Sequence, residues 1–473
     1  MKNIMKQRKP VKILALALAL LFLAGCMARD ETRSFAEEHD AFETRLMQKK
    51  TDDNPLYTPP EGVFDLVYYP SRAGDLAAYI SSDPGDGQKH PLMIWLVGGW
   101  ENSIDDTPFC YPQWENDQTG SAFWQSGILT MYPSFRGGNG NPGLYEDFFG
   151  EVDDIVSALE YAASLPYVDP DRIYLGGHST GGTRALLAAE YTDRFRAVFS
   201  FGAVGEVESY NRDFVFDAGD AQECRMRSPI EWLDQIRTPT FLIEGEGKSG
   251  TGNAASLQKI DKRSENENIH CYLVNGADHF SVLGPVTWML AQKILDDTGA
   301  SSNISITQAE LEAAMEQPPV IPLPAMVRNG VEGGLELSFE SPYIWQAQDN
   351  SQDYLEVCLY SSYMEDNIWD QSVLYFSTFS VVPEDMPEEG GLVLAARNLE
   401  ELGYTVTQAV IGGQDAVAAE GTVNSNGETY RNLYALLEKD GSYAEFDFFV
   451  PARYGETADP LFAAILDSVT FSE

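Results

Sequence analysis

Residues 172–187 read RIYLGGHSTGGTRALL, and Gly177-His178-Ser179-Thr180-Gly181 within them form a G-x-S-x-G pattern. The apolar run before the pattern predicts a strand, and the run after it predicts a helix. A nucleophilic serine needs its Oγ at a sharp, strained turn, and the flanking glycines let strand and helix pack closely around that turn. The stretch therefore predicts that Ser179 is a nucleophile at a strand-turn-helix junction.

Outward from this stretch, short β-rich runs alternate with helical patterns between residues 63 and 297. Helical spacing is clearest over 146–164 and 183–191. The predicted strands cover 63–69, 76–80, 92–97, 128–132, 172–176, 197–201, 240–244 and 269–274. This alternation predicts an α/β domain with a mostly parallel central sheet covered on both faces.

A serine nucleophile requires a base, and the base requires a carboxylate that orients it. Among the five histidines, His279 lies in a loop after the last strand of the alternating region and is the predicted base. The acid is expected after the strand at 240–244, because the order in this kind of sheet is Ser, then Asp or Glu, then His. Glu246 is the first choice and Glu244 the second. Asp278 is less suited, since neighbouring side chains diverge in an extended loop.

The oxyanion of an acyl-transfer reaction needs two N–H donors. The backbone N–H of Thr180 is the first predicted donor, because it directly follows the nucleophile. The sequence Leu96-Val97-Gly98-Gly99-Trp100 follows the third predicted strand and offers Gly99 or Trp100 as the second. A simple glycine turn is the alternative interpretation of this segment.

The first 25 residues have the layout of a secretory signal, with five basic residues followed by an apolar run that ends in small residues. The run is too short to span a bilayer comfortably as a helix. Leu23-Ala24-Gly25-Cys26 resembles the bacterial lipobox, in which the cysteine is acylated and begins the mature chain. We therefore expect an exported protein that is lipid-anchored at Cys26 in the bacterial cell membrane or envelope.

The remaining chain divides into four predicted parts. Residues 26–60 are a polar tether with one short helix over 36–50, and residues 61–299 are the α/β domain. Residues 300–324 are a linker with a helix begun by a capping box at Thr307 and Glu310, followed by a proline-rich stretch. Residues 325–473 read as a smaller α+β domain, with strands at 354–360, 374–382, 405–410, 434–438 and 443–450 and helices at 393–402 and 460–469.

The charge balance excludes one class of partner. The chain has 31 basic and 73 acidic residues, a formal net charge of −42, which would repel a nucleic-acid backbone. The five cysteines show no zinc-ligand spacing, so neither a metal nor a cofactor is predicted. Any disulfide pairing among Cys110, Cys224, Cys271 and Cys358 is left open.

Beyond the elbow, several landmarks resemble the α/β-hydrolase superfamily, and within it the prolyl oligopeptidase-like branch. They are Gly98-Gly99-Trp100, the segments at 133–139 and 165–173, and Ser228-Pro229 leading into 236–239. The resemblance spans about residues 85–297 and implies Ser179 as nucleophile, His279 as base and Glu246 as acid. The C-terminal region resembles, more distantly, the α-β-α sandwich of PsbP-like domains, which implies binding or positioning of a protein or ligand partner.

This chain departs from the branch it resembles in three places. No large propeller precedes the catalytic region, Val97 stands where many members have an oxyanion-hole tyrosine, and the acid loop reads Glu-Gly-Glu-Gly-Lys. An insertion at 205–227 could form a lid or a packed cap. Its Arg225 and Arg227 could meet an acidic substrate group or form surface salt bridges.

These features together predict a lipid-anchored serine hydrolase that cleaves a small ester, amide or short peptide substrate. The alternative hypothesis is a non-catalytic surface-binding lipoprotein that has a hydrolase-like scaffold.

Overall fold

The computed structural model describes residues 33–109, 116–247, 252–317, 325–331, 335–343, 345–349, 357–361, 372–380, 390–425 and 427–471. Within these residues the strands form one eight-stranded sheet, one seven-stranded sheet and one three-stranded sheet. The eight-stranded sheet belongs to the N-terminal region, and the other two belong to the C-terminal region.

The eight-stranded sheet has the order β1-β2-β4-β3-β5-β6-β7-β8. Strand β2 is antiparallel to its neighbours β1 and β4, whereas the six strands from β4 through β3 to β8 are parallel to one another. Its strands are β1 (Phe64–Ser71), β2 (Gly74–Ser81), β3 (His90–Leu96), β4 (Leu129–Pro133), β5 (Val168–His178), β6 (Val198–Phe201), β7 (Thr240–Gly245) and β8 (Ile269–Val274). All eight predicted strands are therefore present, and the mostly parallel sheet is confirmed.

Helices cover both faces of this sheet. Helices α3 and α4 pack on one face, where Ile155, Leu159 and Ala185 join the buried core. Helices α2 and α7 pack on the other, where Phe123 and Leu290 are buried. The helices of this region are α1 (Phe35–Ala41), α2 (Ala122–Gln125), α3 (Gly150–Ser164), α4 (Thr180–Tyr191), α5 (Ala221–Arg225), α6 (Ala254–Arg263), α7 (Leu283–Asp296) and α8 (Gln308–Met315). The parallel strands with covering helices place all their carboxyl ends at one edge, where loops can converge.

The N-terminal segment differs from the predicted tether. Residues 33–60 lie against the domain: Phe35 and His39 are buried, and Leu46 forms an isolated bridge with Phe216. Asp52 accepts hydrogen bonds from Ser103 and Tyr145. Helix α1 ends at Ala41, well before residue 50, because the chain turns there to follow the domain surface. The polar composition of this segment concealed the few apolar side chains that anchor it.

The linker and the C-terminal region agree in part with the sequence. The capping box at Thr307 and Glu310 is present at the start of α8, while residues 318–324 lie outside the described residues. The seven-stranded sheet has the order β11-β12-β13-β17-β16-β15-β14 and is antiparallel throughout. The elements are β9 (Met326–Val331), β10 (Leu337–Pro342), β11 (Trp345–Asp349), β12 (Val357–Ser361), β13 (Val373–Ser380), α9 (Gly391–Glu401), β14 (Thr405–Ile411), β15 (Gln414–Ser425), β16 (Glu428–Lys439), β17 (Ser442–Pro451), α10 (Asp459–Asp467) and β18 (Thr470–Phe471).

The C-terminal region has its own core. Phe339, Phe376, Phe446 and Phe448 are buried between the seven-stranded sheet, the three-stranded sheet and α10. A separate sheet-rich region thus follows the α/β domain, as predicted, although β9, β10, β11 and β15 were absent from the prediction. These strands contain residues that are depleted in β structure, such as Asp, Glu, Asn, Gly, Ala or Pro, so their sequences give a weak strand signal.

Two of the cysteines left open by the sequence, Cys224 and Cys271, are free thiols. Within the described part of the chain, no helix is long and apolar enough to span a membrane.

Candidate active site

Ser179 lies at the junction of β5 and α4 in a strained conformation, with φ 55° and ψ −115°. A left-handed φ is uncommon for any residue other than glycine and costs free energy. The two flanking glycines make this turn possible. A Cβ at Gly177 would lie 2.6 Å from the backbone of Gly181, and a Cβ at Gly181 would lie 2.0 Å from the carbonyl oxygen of Leu96. The structure confirms the predicted strand-turn-helix elbow and its packing reason.

His279 lies in the loop after β8, and its Nδ1 is 2.9 Å from Oε2 of Glu244 at the end of β7. The Glu244 side chain is 1% exposed and that of His279 is 11% exposed. Glu244 also accepts the backbone N–H groups of Gly245 and Asn253. Because Nδ1 is held by this carboxylate, Nε2 is the imidazole nitrogen free to exchange a proton with a substrate or nucleophile.

The carboxylate beside His279 is the second choice from the sequence and not the first. Glu246 is exposed, and its N–H donates to the carbonyl oxygen of Val274. Strand β7 ends at Gly245 and the chain then turns through Gly247 at φ +78°, so position 246 is already leaving the sheet. Asp278 accepts the N–H groups of Phe280 and Ser281 in its own loop. The structure thus brings Glu244, and not Glu246, to His279, and the sequence signal for Glu244 is a lone carboxylate in the otherwise apolar run at 241–245.

The predicted oxyanion donors lie next to Ser179. Thr180 begins helix α4, so its N–H is one of the four that a helix leaves without an intrahelical acceptor. The hydroxyl of Thr180 donates to the carbonyl oxygen of Gly99, which ties the two predicted donor segments together. In a trans peptide, C=O and N–H point in opposite directions, so the Trp100 N–H points away from the Thr180 hydroxyl. Of the two alternatives, this geometry favours the Gly99 N–H as the second donor.

His178 connects the turn at Ser179 to the loop that carries His279. The side chain is 1% exposed, its Nε2 lies 3.0 Å from the backbone carbonyl oxygen of His279, and the two imidazole centroids are 4.5 Å apart. Burial, with a smaller contribution from His279, lowers the pKa of His178 to about 3. His178 is therefore neutral, and it donates from Nε2 to hold the backbone of the His279 loop. The sequence offered no signal for this contact, because position 178 is the variable position of the elbow pattern.

The insertion at 205–227 packs over the site. Tyr210 and Thr183 share a hydrogen bond of 2.7 Å between their hydroxyl oxygens, and the N–H of Thr183 donates to the carbonyl oxygen of Ser179. The Tyr210 ring packs edge-to-face on Trp100 and stacks on Phe148 at 5.4 Å. We refer to Trp100, Phe148 and Tyr210 as the aromatic cluster. It links the insertion to the loop that carries Gly99.

Neither arginine that the sequence singled out in this insertion faces substrate. Arg225 pairs with Glu38 of α1 and lies over the ring of Trp232. Arg227 is fully buried and pairs with Glu223. Both side chains attach the insertion to the rest of the domain. The part of the insertion that contains them is therefore a packed cap.

One group of metal-ligating side chains occurs within the described residues, formed by His39, Asp40 and Asp153. The guanidinium of Arg72 already pairs with both carboxylates, at 2.9 and 3.1 Å. Nε2 of His39 lies 3.1 Å from the carbonyl oxygen of Phe149. These residues neutralise one another and lie away from Ser179, so they belong to the packing of α1.

A cavity of about 190 Å³ lies against the Gly98–Gly99 segment and is lined also by Trp95, Trp100 and Arg184. The Arg184 side chain is buried and donates to Asn102. The site thus combines a strained serine, a carboxylate-oriented imidazole, N–H donors and adjoining space, which is the set of parts needed for acyl transfer.

Comparison with known proteins agrees with this geometry. Residues 116–282 match the model of the prolyl oligopeptidase family. The match includes the elbow, β6 to β8 and His279. Together with the eight-stranded sheet, it confirms the predicted α/β-hydrolase domain. The PsbP-like resemblance of the C-terminal region stays a prediction.

Among curated proteins, the chain is 30% identical over 138 residues to the uncharacterized peptidase YtmA of Bacillus subtilis, covering 26% of this chain and 53% of that protein. It is 23% identical over 242 residues to the 2,6-dihydropseudooxynicotine hydrolase of Paenarthrobacter nicotinovorans, covering 48% of this chain and 62% of that protein. The crystal structure of Porphyromonas gingivalis dipeptidyl peptidase 4 superposes on 49% of this chain and 35% of its own, with 18% identity and a TM-score of 0.41. The chain therefore spans a little over half the length of the two curated relatives.

Proposed function

Starting from the prolyl oligopeptidase family match over residues 116–282, we propose that the protein is a serine hydrolase, an esterase or a peptidase, with Ser179, His279 and Glu244 as its triad. The observation that carries this proposal is the 2.9 Å contact between Nδ1 of His279 and the buried Glu244 carboxylate, at the same edge of the sheet as the strained Ser179. A buried carboxylate on an imidazole fixes the tautomer that can accept a proton at Nε2.

The reaction follows from these roles. Nε2 of His279 takes the proton of the Ser179 hydroxyl as Oγ attacks the substrate carbonyl, and the N–H groups of Thr180 and Gly99 stabilise the oxyanion. The leaving alcohol or amine receives that proton from His279, which gives an acyl-enzyme on Ser179. A water molecule, deprotonated by His279, then releases the acid and regenerates the serine. Glu244 stabilises the imidazolium during both steps.

Labelling with a fluorophosphonate probe tests this function directly. Wild-type protein is expected to be labelled, Ser179→Ala to be unlabelled, and Ser301→Ala, which changes an exposed serine, to be labelled as the wild type. Folded wild-type protein that resists labelling and hydrolyses none of a panel of esters and short peptides would instead favour the non-catalytic binding hypothesis.

An esterase and a peptidase differ in the leaving group, which is an alcohol for an ester and an amine for an amide. Hydrolysis of nitrophenyl acetate without hydrolysis of aminoacyl-naphthylamides would identify an esterase, and the reverse preference a peptidase. The relatives that match include proteins named as peptidases and as hydrolases, so both arms are needed.

Export and anchoring are further proposals that rest on residues 1–26, which lie outside the described residues. The lipobox-like sequence ending at Cys26 supports acylation, and the strongly acidic chain would be repelled by anionic lipid, so acyl chains must hold it at the membrane. Metabolic labelling with an alkynyl fatty acid is expected to mark the wild type. Cys26→Ser is expected to lose the label and to leave the membrane fraction.

The region from residue 325 onward is proposed to bind or position a protein or ligand partner. It contains no histidine, and it folds around its own core. Deletion of residues 325–473 is expected to spare hydrolysis of small substrates and to remove partner binding in a pull-down.

A further inference from the structure

Arg212 lies on the outer side of the aromatic cluster. The guanidinium carbon is 3.8 Å from the centre of the Trp100 ring, and Trp100 adjoins Gly99, the favoured second oxyanion donor. Tyr210, two residues earlier, is tied to the first turn of α4 by its bond to Thr183. Arg212 is therefore held at the side of the site where the Gly99 segment and the insertion meet.

The guanidinium of Arg212 is incompletely used within the protein. Its Nε donates to the neighbouring carbonyl oxygen of Asp213, but its Nη1 is buried and has no hydrogen-bond partner among the described residues. In the same part of the chain, Arg212 forms no ion pair with a carboxylate. Asp147 is near enough to be influenced by its charge, yet that carboxylate accepts the N–H of Val215. A buried donor without an acceptor is costly and is uncommon in folded proteins.

The incompletely bonded guanidinium of Arg212 differs from those of the other two arginines in the insertion. Arg225 and Arg227 each pair with a glutamate, and the chain carries more than twice as many acidic as basic residues. A carboxylate partner for Arg212 would thus be easy to supply, and none is supplied among the described residues. The side chain as a whole is partly buried and partly exposed, so solvent reaches part of it.

From this geometry we propose that Arg212 binds a carboxylate of the substrate, so that the preferred substrates are esters or amides that carry a carboxylate group. This inference rests on the proposed serine hydrolase function. A guanidinium held against an indole ring is pre-organised, and its N–H groups match the two oxygens of a carboxylate. The contact would also offset the long-range repulsion between an anionic substrate and a chain of net charge −42.

Matched substrate pairs that differ only in the charge test the proposal. The ester pair is the mono-4-nitrophenyl ester of adipic acid and its methyl ester, and the anilide pair is succinyl-alanyl-nitroanilide and acetyl-alanyl-nitroanilide. The measured quantity is the ratio of kcat/KM for the anionic member to that for the neutral member. Arg212→Met is expected to lower this ratio about ten- to a hundredfold, mainly through KM, since hydrogen bonds to charged groups have this strength.

Two further variants make the result specific. Arg212→Lys keeps the charge but loses the planar fork, so its ratio is expected between those of wild type and Arg212→Met. Arg194 is a surface residue that follows the C-terminal end of α4 and pairs with Glu160. The ratio of kcat/KM values for Arg194→Met is expected to match that of the wild type. Circular dichroism and urea unfolding establish that each variant is folded.

The outcomes separate the two proposals. A wild type that hydrolyses neutral esters through Ser179, with a ratio that Arg212→Met leaves unchanged, overturns the carboxylate site and retains the hydrolase. Equal losses for both members of a pair mean that Arg212 only packs on Trp100, and they also overturn the site. A wild type that the fluorophosphonate probe labels at Ser179 but that hydrolyses neither member of either pair overturns the carboxylate site and retains the hydrolase. A wild type that is neither labelled nor active on any ester or peptide of the panel overturns both.

Discussion

Gly202 faces the imidazole of His279 so closely that a Cβ at position 202 would lie 2.3 Å from its Cε1 and 2.7 Å from its Nδ1. Gly202 follows β6, between the strands that carry Ser179 and Glu244, at φ +63°. The space left by its missing side chain is where the imidazole lies. The position of His279, the proposed base, is therefore set by a glycine that directly follows β6 and contributes no side chain to the site.

Gly202→Ala is expected to lower kcat/KM at least about a hundredfold, because a displacement of the base by an ångström is enough for such a loss. The left-handed backbone adds a destabilisation of about 1–2 kcal/mol. Gly85→Ala is the matched control, with φ +70° and open space around its Cβ. It should show the stability change without the kinetic one, and equal activity of the two variants would contradict the steric role of Gly202. Ester hydrolysis and urea unfolding measure the two effects.

Glu244→Gln is expected to reduce kcat by about a thousand- to ten-thousandfold, since an amide favours the wrong tautomer of His279. The matched variant Glu246→Gln changes an exposed side chain and should stay within about twofold of wild type, as surface substitutions usually do. Single-turnover acylation with a nitrophenyl ester compares the two. A larger loss at Glu246 would reverse the assignment of the acid.

His178 is expected to lower the free energy of unfolding of the protein in acid. Burial lowers its pKa to about 3, whereas the unfolded chain takes up a proton near pH 6.5. The unfolded state then binds more protons between these values, so the free energy of unfolding falls as pH decreases, by up to about 1.4 kcal/mol per pH unit from this group. His178→Gln should flatten the dependence between pH 4 and 6.5 in urea titrations, while a change at the exposed His270 should not. An unchanged slope in His178→Gln would show that the side chain protonates in the folded protein.

Glu190 should act in the opposite direction. Its carboxyl group is buried on α4, both oxygens lack hydrogen-bond partners among the described residues, and burial raises its pKa well above the ordinary value. The folded state keeps the proton that the unfolded state releases above about pH 4.5, so this group lowers the free energy of unfolding as pH rises. Glu190→Gln is expected to raise stability at pH 8 by at least about 1 kcal/mol and to change little at pH 4. Urea unfolding at both values checks this, and a loss of stability at pH 8 would indicate a charged, partnered carboxylate.

The stability of the packed cap formed by the insertion at 205–227 should depend on Arg227. The guanidinium is fully buried, pairs with Glu223 and donates to the carbonyl oxygens of Glu146 and Asp147. Arg227→Met leaves Glu223 buried without its partner and is expected to destabilise the protein by about 3–5 kcal/mol. Arg225→Met is the comparison, because that side chain is more exposed, at 24%, and should cost less. Thermal unfolding of the two variants measures the difference, and equal losses would contradict it.

Much of the α/β domain is predictable from the sequence, because each of its strands and helices is specified by residues that are close together in the chain. The eight apolar runs, the helical spacing at 146–164 and the glycines around Ser179 each report on a few neighbouring residues. Ser179, Thr180 and His279 are predicted in this way, because the elbow and the loop after the last strand are fixed by chain order. In the C-terminal region, the prediction lacked the strands β9, β10, β11 and β15, because each contains residues that are depleted in strands, such as Asp, Glu, Asn, Gly, Ala or Pro.

The choice between Glu244 and Glu246 shows where local information ends. Both are glutamates at the end of one strand, and only the turn at Gly247 and the closeness of the His279 loop decide which carboxylate meets the imidazole. Similarly, residues 33–60 read as a polar tether, although Phe35 and His39 find buried positions on the folded domain.

The sequence by itself therefore determined the α/β class, the strained serine and the candidate base, because periodicity and glycine spacing act over short stretches of chain. The tertiary structure alone decided which glutamate meets His279, which partners Arg225 and Arg227 have, and that Nη1 of Arg212 is buried without a partner among the described residues. Each of these depends on which side chains meet across elements distant in sequence, and burial and charge pairing at those meetings set their chemistry.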